Sequence, residues 1–131
     1  MVVKPHPLCI SRTYFAGRDL EDALNKLEVV LSGVDERIRK RNIDFAKIGT
    51  SRLIRSLEEL VEWGCFPGIL SEQVRNAIGL AKEAFNLIDT DPSEARRKLE
   101  SVQFILDDIT TTMYADYIAF RERAFKLWEK K

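Results

Sequence analysis

This chain has one histidine, His6, and that scarcity excludes more chemistry than any other feature. Ser-His-Asp and Cys-His nucleophile arrangements need an imidazole beside the nucleophile, and His6 sits between prolines near the N-terminus. The Glu-x-x-His pairs of di-iron bundles are excluded on the same ground. Glycine is too sparse for a phosphate loop: Gly64, Gly68 and Gly79 lack the spacing, and no strand leads into them. Strand signals are themselves nearly missing, with few alternating runs, no Asn-Gly turn and little valine. No apolar run is long enough to span a membrane. Lys4, Pro5, His6 and Pro7 interrupt what would be the apolar core of a signal peptide.

Cysteine is scarce as well. Cys9 and Cys65 do not make a secreted disulfide framework, so in a reducing cytosol they read as two half-buried free thiols. A Cys9–Cys65 bridge is the alternative, and it would pin the N-terminal segment to the rest. His6-x-x-Cys9 has metal-ligand spacing, but only Cys65 is available to join it, so no metal and no cofactor is expected. Net charge is absent too, Lys plus Arg and Asp plus Glu each totalling 21. The expected compartment is the cytoplasm.

What is present is helical periodicity. At 131 residues with 45% apolar and 32% charged side chains, the chain suits one globular domain. Residues 1–18 read as an extended arm, because Pro5 and Pro7 resist helix and Gly17 closes the segment. Its Val2, Val3, Leu8, Cys9, Ile10, Tyr14 and Phe15 are too apolar for a solvated tail. Residues 19–131 read as a helical-bundle domain with approximate helices 19–41, 44–63, 71–89 and 92–130. Asp19 and Ser71 are the expected caps of the first and third. The end of the first helix is open between Asn42-Ile43-Asp44, the favoured break, and Gly49-Thr50. Short connections make sequential helices antiparallel. The expected fold is all-α: a four-helix up-and-down bundle with an extended N-terminal arm and a long protruding C-terminal helix.

The last helix opens on Asp91-Pro92-Ser93-Glu94, an N-cap, a first-position proline and an acid three residues on. Apolar residues then recur from Ala95 to Leu127 without glycine or proline, a length on the order of 55 to 60 Å. Past Thr110-Thr111-Thr112 a second apolar stripe joins the first. Tyr114, Tyr117, Ile118, Phe120, Phe125 and Trp128 are therefore the candidate interface, and a homodimer is the expected assembly.

Charge is blocked along the chain. Residues 19–36 hold Asp19, Glu21, Asp22, Glu28, Asp35 and Glu36 against Lys26 alone. Residues 37–55 hold Arg37, Arg39, Lys40, Arg41, Lys47, Arg52 and Arg55 against Asp44 alone. One reading is a helix whose acidic first half and basic last half complement its own macrodipole. The other makes those seven cations phosphate contacts of a nucleic-acid-binding subunit, although Phe45 is the stretch's single stacking partner. Glu58, Glu59 and Glu62 read as a solvated face, and Asp107 and Asp108 point to different faces of a helix. No residue set forms a catalytic constellation, and an enzyme is not expected.

The run Leu57-Glu58-Glu59-Leu60-Val61-Glu62-Trp63-Gly64, then Leu70-Ser71-Glu72, then Asp91-Pro92-Ser93-Glu94-Ala95 resembles HEPN-type helical domains over Leu53–Ile109. Active members of that family cut RNA with an Arg-Asn pair followed a few residues later by His. Here Arg75-Asn76 has no following histidine, and Ala84-Phe85-Asn86 occupies the expected place. The resemblance implies a catalytically silent bundle that keeps the dimer habit. Translin-like proteins and the small helical subunits of CRISPR effector complexes are similar in composition.

Overall fold

The computed structural model describes residues 6–129, with side chains described through Tyr114. Four helices follow one another: α1 Pro7–Leu31, α2 Glu36–Glu62, α3 Ile69–Leu87 and α4 Pro92–Glu129, with no strand among the described residues. Each packs on its neighbours in the order α1–α2–α3–α4–α1, and among the described residues the diagonal pairs α1/α3 and α2/α4 make no close backbone approach. With connections this short, the result is an antiparallel four-helix bundle.

The first helix corrects the expected arm. Pro7 does not extend the chain but takes the first helical position, where its fixed φ suits a helix and its missing N–H costs nothing. His6 caps it, Nδ1 accepting from the Leu8 N–H at 3.1 Å. Cys9, Thr13 and Ala16, assigned to the arm by sequence, are buried on the same face as Leu20, Ala23 and Leu27. Neither Asp19 nor Gly17 marks a boundary; both lie mid-helix.

The expected breaks at Asn42–Asp44 and Gly49–Thr50 are also absent. The turn comes earlier, at residues 32–35, where Gly33 adopts φ +82° and Asp35 caps α2 by accepting from the Ile38 N–H at 3.0 Å. Gly49 has a different task. A Cβ there would lie 3.2 Å from the Asp19 carbonyl oxygen and 3.4 Å from the Ala23 Cβ, so its bareness sets how closely α1 and α2 approach.

The expected loop after α2 is present and ends the helix in a Schellman motif. Gly64 takes φ +66°, its N–H bonds the Val61 carbonyl at 3.1 Å, and the Cys65 N–H reaches Leu60 at 3.1 Å. Gly68 rather than Ser71 is the N-cap of α3. Asp91 caps α4 as expected, accepting from the Glu94 N–H at 3.1 Å. The core is the leucines and valines of all four helices, with Ala77, Ala81 and Ala84 letting α3 sit close. At one end Phe66 packs against Tyr114, ring centroids 5.9 Å apart.

Helix α4 has 38 residues against 25, 27 and 19 for α1, α2 and α3. No described helix is long and apolar enough to cross a membrane.

Candidate functional site

Seven cations were candidates for phosphate contact, and the fold separates them. Arg37, Arg39, Lys40 and Arg41 occupy the first two turns of α2, not the end of a helix. That overturns the macrodipole reading, since a helix N-terminus carries positive partial charge and is the wrong end for cations. These four form no salt bridge among the described residues. Lys47 pairs with Asp89 across to the turn before α4. Arg55 lies 3.6 Å from Glu59. Arg52 is close enough to Asp19 to act on its carboxyl.

At about 100° per residue, Arg37, Arg41, Phe45, Ile48, Arg52 and Arg55 fall within about 80° of one another on α2. All six are solvent-exposed, Phe45 at 45% and Ile48 at 47%. The structure thus brings four of the seven cations into one stripe with an apolar middle, while Arg39, Lys40 and Lys47 lie off it. Lys26 of α1 sits 5.8 Å from the Phe45 ring centre, at the stripe's edge.

Beside the stripe, Glu59 is not part of a solvated acidic face. It takes Arg12 of α1 at 3.0 Å as well as Arg55, and Arg12 stacks over Trp63 at 5.4 Å. Farther along α1, burial pushes the Asp19 carboxyl up, Asp22 adds to it, and Arg52, Arg18 and Arg12 oppose it.

Cys9 and Cys65 are joined in a disulfide with their Cα atoms 5.7 Å apart. The reading of two free thiols is therefore corrected. It failed because an extended arm does not place Cys9, whereas a helix starting at Pro7 puts it opposite the loop that carries Cys65. The bridge also occupies the one cysteine pair available to a His6-x-x-Cys9 metal site. Among the described residues no His, Cys, Asp and Glu cluster of three or more is spaced for a metal ion.

A groove of about 870 Å³ runs between α1 and α4, lined by Ile10, Tyr14, Leu20, Leu106, Thr110 and Tyr114 among others. Sequence periodicity alone did not show it, because α1 was not expected to run that far. Tyr114 corrects the interface reading: it is 2% exposed and packs into the core, since the first turns of α1 cover that part of α4. The Thr13 hydroxyl faces its phenol but donates its own proton to the Cys9 carbonyl at 2.7 Å. The Tyr114 hydroxyl is left without a hydrogen bond among the described residues. Burial raises its pKa, so the phenol keeps its proton to higher pH, and the nearby Thr13 hydroxyl pulls weakly the other way. The side chains of the other interface candidates, Tyr117, Ile118, Phe120, Phe125 and Trp128, lie outside the described residues.

Phe104 of α4 is 77% exposed, with Glu100 and Asp108 exposed one turn to either side and Asp107, at the edge of the groove, exposed beside it. Sequence reading passed over this residue because it lies off the apolar stripe.

No protein-family model, no curated protein and no solved structure matches this chain.

Proposed function

We propose that this chain is a non-enzymatic helical assembly module that forms a homodimer through the distal part of α4. The observation that supports this is the length of α4, twice that of α3, with which it packs along one side. At 1.5 Å per residue α4 extends over about 57 Å, and α3 over about 29 Å. The sequence gives that excess length the apolar residues Tyr117, Ile118, Phe120, Phe125 and Trp128, a composition that calls for a partner surface. Replacing both Phe120 and Trp128 by Glu tests it. At high ionic strength, where contacts between exposed charges are screened, light scattering of the wild type should give the mass of two 15.1 kDa chains, and the variant that of one. An unchanged mass removes the α4 interface.

A second reading, nucleic-acid binding by the basic segment, is favoured by one observation. Arg37, Arg39, Lys40 and Arg41 form no salt bridge among the described residues and stand at a helix N-terminus, where backbone N–H groups and cations together attract anions. Fluorescence anisotropy with RNA and duplex DNA across a salt series tests it. Binding that weakens steeply with salt and is lost when Arg37, Arg39 and Arg41 become Ala supports this use. Absence of binding at low salt removes it.

A further inference from the structure

The arginine–apolar stripe of α2 and the acid–Phe face of α4 match each other, yet they stand on helices that are diagonal in the bundle and make no close backbone approach among the described residues. One molecule cannot bring them together. We infer that the α2 stripe of one copy receives the outer face of α4 from a second copy, giving a head-to-tail contact. This extends the assembly reading to a surface distinct from the distal α4 interface.

The register argues for it. On α4, Phe104 has Glu100 one turn before it and Asp108 one turn after, while Asp107 lies about 100° round from Asp108 on the groove side. On α2, the apolar pair Phe45 and Ile48 has Arg41 one turn before it and Arg52 one turn after. Set antiparallel with Phe104 between Phe45 and Ile48, Asp108 falls within about two residues of Arg41 and Glu100 within about two of Arg52. Arginine side chains span that offset. The direction follows from which charges are already occupied. Asp107, Asp108, Arg37 and Arg41 form no salt bridge among the described residues. Glu100 is shared with Arg96 at 3.1 Å, and Arg52 faces Asp19. Antiparallel docking brings the unpaired Asp108 to the unpaired Arg41, whereas the parallel arrangement sets Asp108 against Arg52.

A second copy fits this face better than a phosphate backbone does. Phe45 and Ile48, about half exposed at the centre of the stripe, are wasted against phosphates. They suit an apolar centre ringed by charge, as in protein interfaces. A chain with no net charge also carries the acidic complement on its own surface. Two copies of the α2 stripe cannot pair with each other, because antiparallel stripes would set Arg37 against Arg55. The contact is therefore heterologous, and repetition makes an open series or a ring rather than a closed pair.

The test uses full-length chains that all carry Phe120→Glu and Trp128→Glu, so that the distal α4 contact plays no part in the outcome. At low salt the weight-average mass should rise with concentration beyond two chains, and it should fall toward one chain at high salt. Arg37→Glu with Arg41→Glu removes the stripe, and Phe104→Glu removes the α4 face; each variant alone should stay monomeric with an unchanged helical spectrum. Mixed in equal amounts, they retain one intact surface each and should form a species capped at two chains. A monomer at low salt in the parent, growth by either variant alone, or a mixture that stays monomeric overturns the inference. So does a parent that stays monomeric while binding RNA or DNA through Arg37 and Arg41, which assigns the stripe to phosphates.

Discussion

Gly49 of α2 lies directly against Asp19 of α1: a Cβ would meet the Asp19 carbonyl oxygen at 3.2 Å, a contact tight enough that a methyl group fits only if the two helices give by a few tenths of an ångström. The neighbour is backbone, so it cannot rotate away. Gly49→Leu should destabilise the protein by about 1–3 kcal/mol, the range for overpacking a filled contact. Gly49→Ala sets a smaller clash against a helix-propensity gain of about 1 kcal/mol and should fall near balance. Urea unfolding of both variants reads the difference. A Leu variant as stable as the parent would mean the helices are farther apart than described.

Tyr114 provides a pH prediction. Its folded-state value is raised, chiefly by burial, so the unfolded chain loses the phenolic proton first. Stability is then fully present below the ordinary tyrosine value of 10.0 and declines as pH rises through the higher folded one. Tyr114→Phe should remove that alkaline loss. At neutral pH it should cost less than about 1 kcal/mol, because the hydroxyl it deletes has no partner among the described residues. Thermal melts from pH 7 to 11 compare the two proteins. A larger loss at pH 7 would reveal a partner for the phenol.

The disulfide joins residues 56 positions apart, and closing a loop of that size stabilises the folded state by about 4 kcal/mol on the chain-entropy model. Cys9→Ser with Cys65→Ser, or reductant alone, should lower the denaturant midpoint by a corresponding amount. An unchanged midpoint after complete oxidation in air would show that the bridge contributes no stability in solution.

Arg37 stands in the first turn of α2, where a positive charge opposes the helix dipole. Arg37→Glu should therefore raise stability by about 0.3–1 kcal/mol while weakening whatever contact the stripe makes. If the midpoint falls instead, Arg37 is held by an interaction within the bundle.

The helical architecture was legible wherever a signal was local. Asp91-Pro92-Ser93-Glu94 and Gly64–Gly68 gave their boundaries because cap, proline and glycine act within a turn of themselves. Where residue type admitted two roles, the reading went astray. Pro7 reads as a breaker though proline is equally a helix starter, and Gly49, the less favoured of two possible breaks, is a contact. The Cys9–Cys65 pair and the Arg12–Glu59–Trp63 cluster depend on where α1 begins, so one misplaced start hid both. Phe104 was invisible for another reason: periodicity marks the residues that face inward, and this one faces out.

The bridge between Cys9 and Cys65 has a consequence for how this protein comes apart. It turns α1, the turn at residues 32–35 and α2 into a covalent ring. A protease that nicks that turn, the exposed point of the ring, produces two pieces that still travel as one molecule. The cut registers as a gain of one water in mass and nothing more, until a reductant lets the halves part.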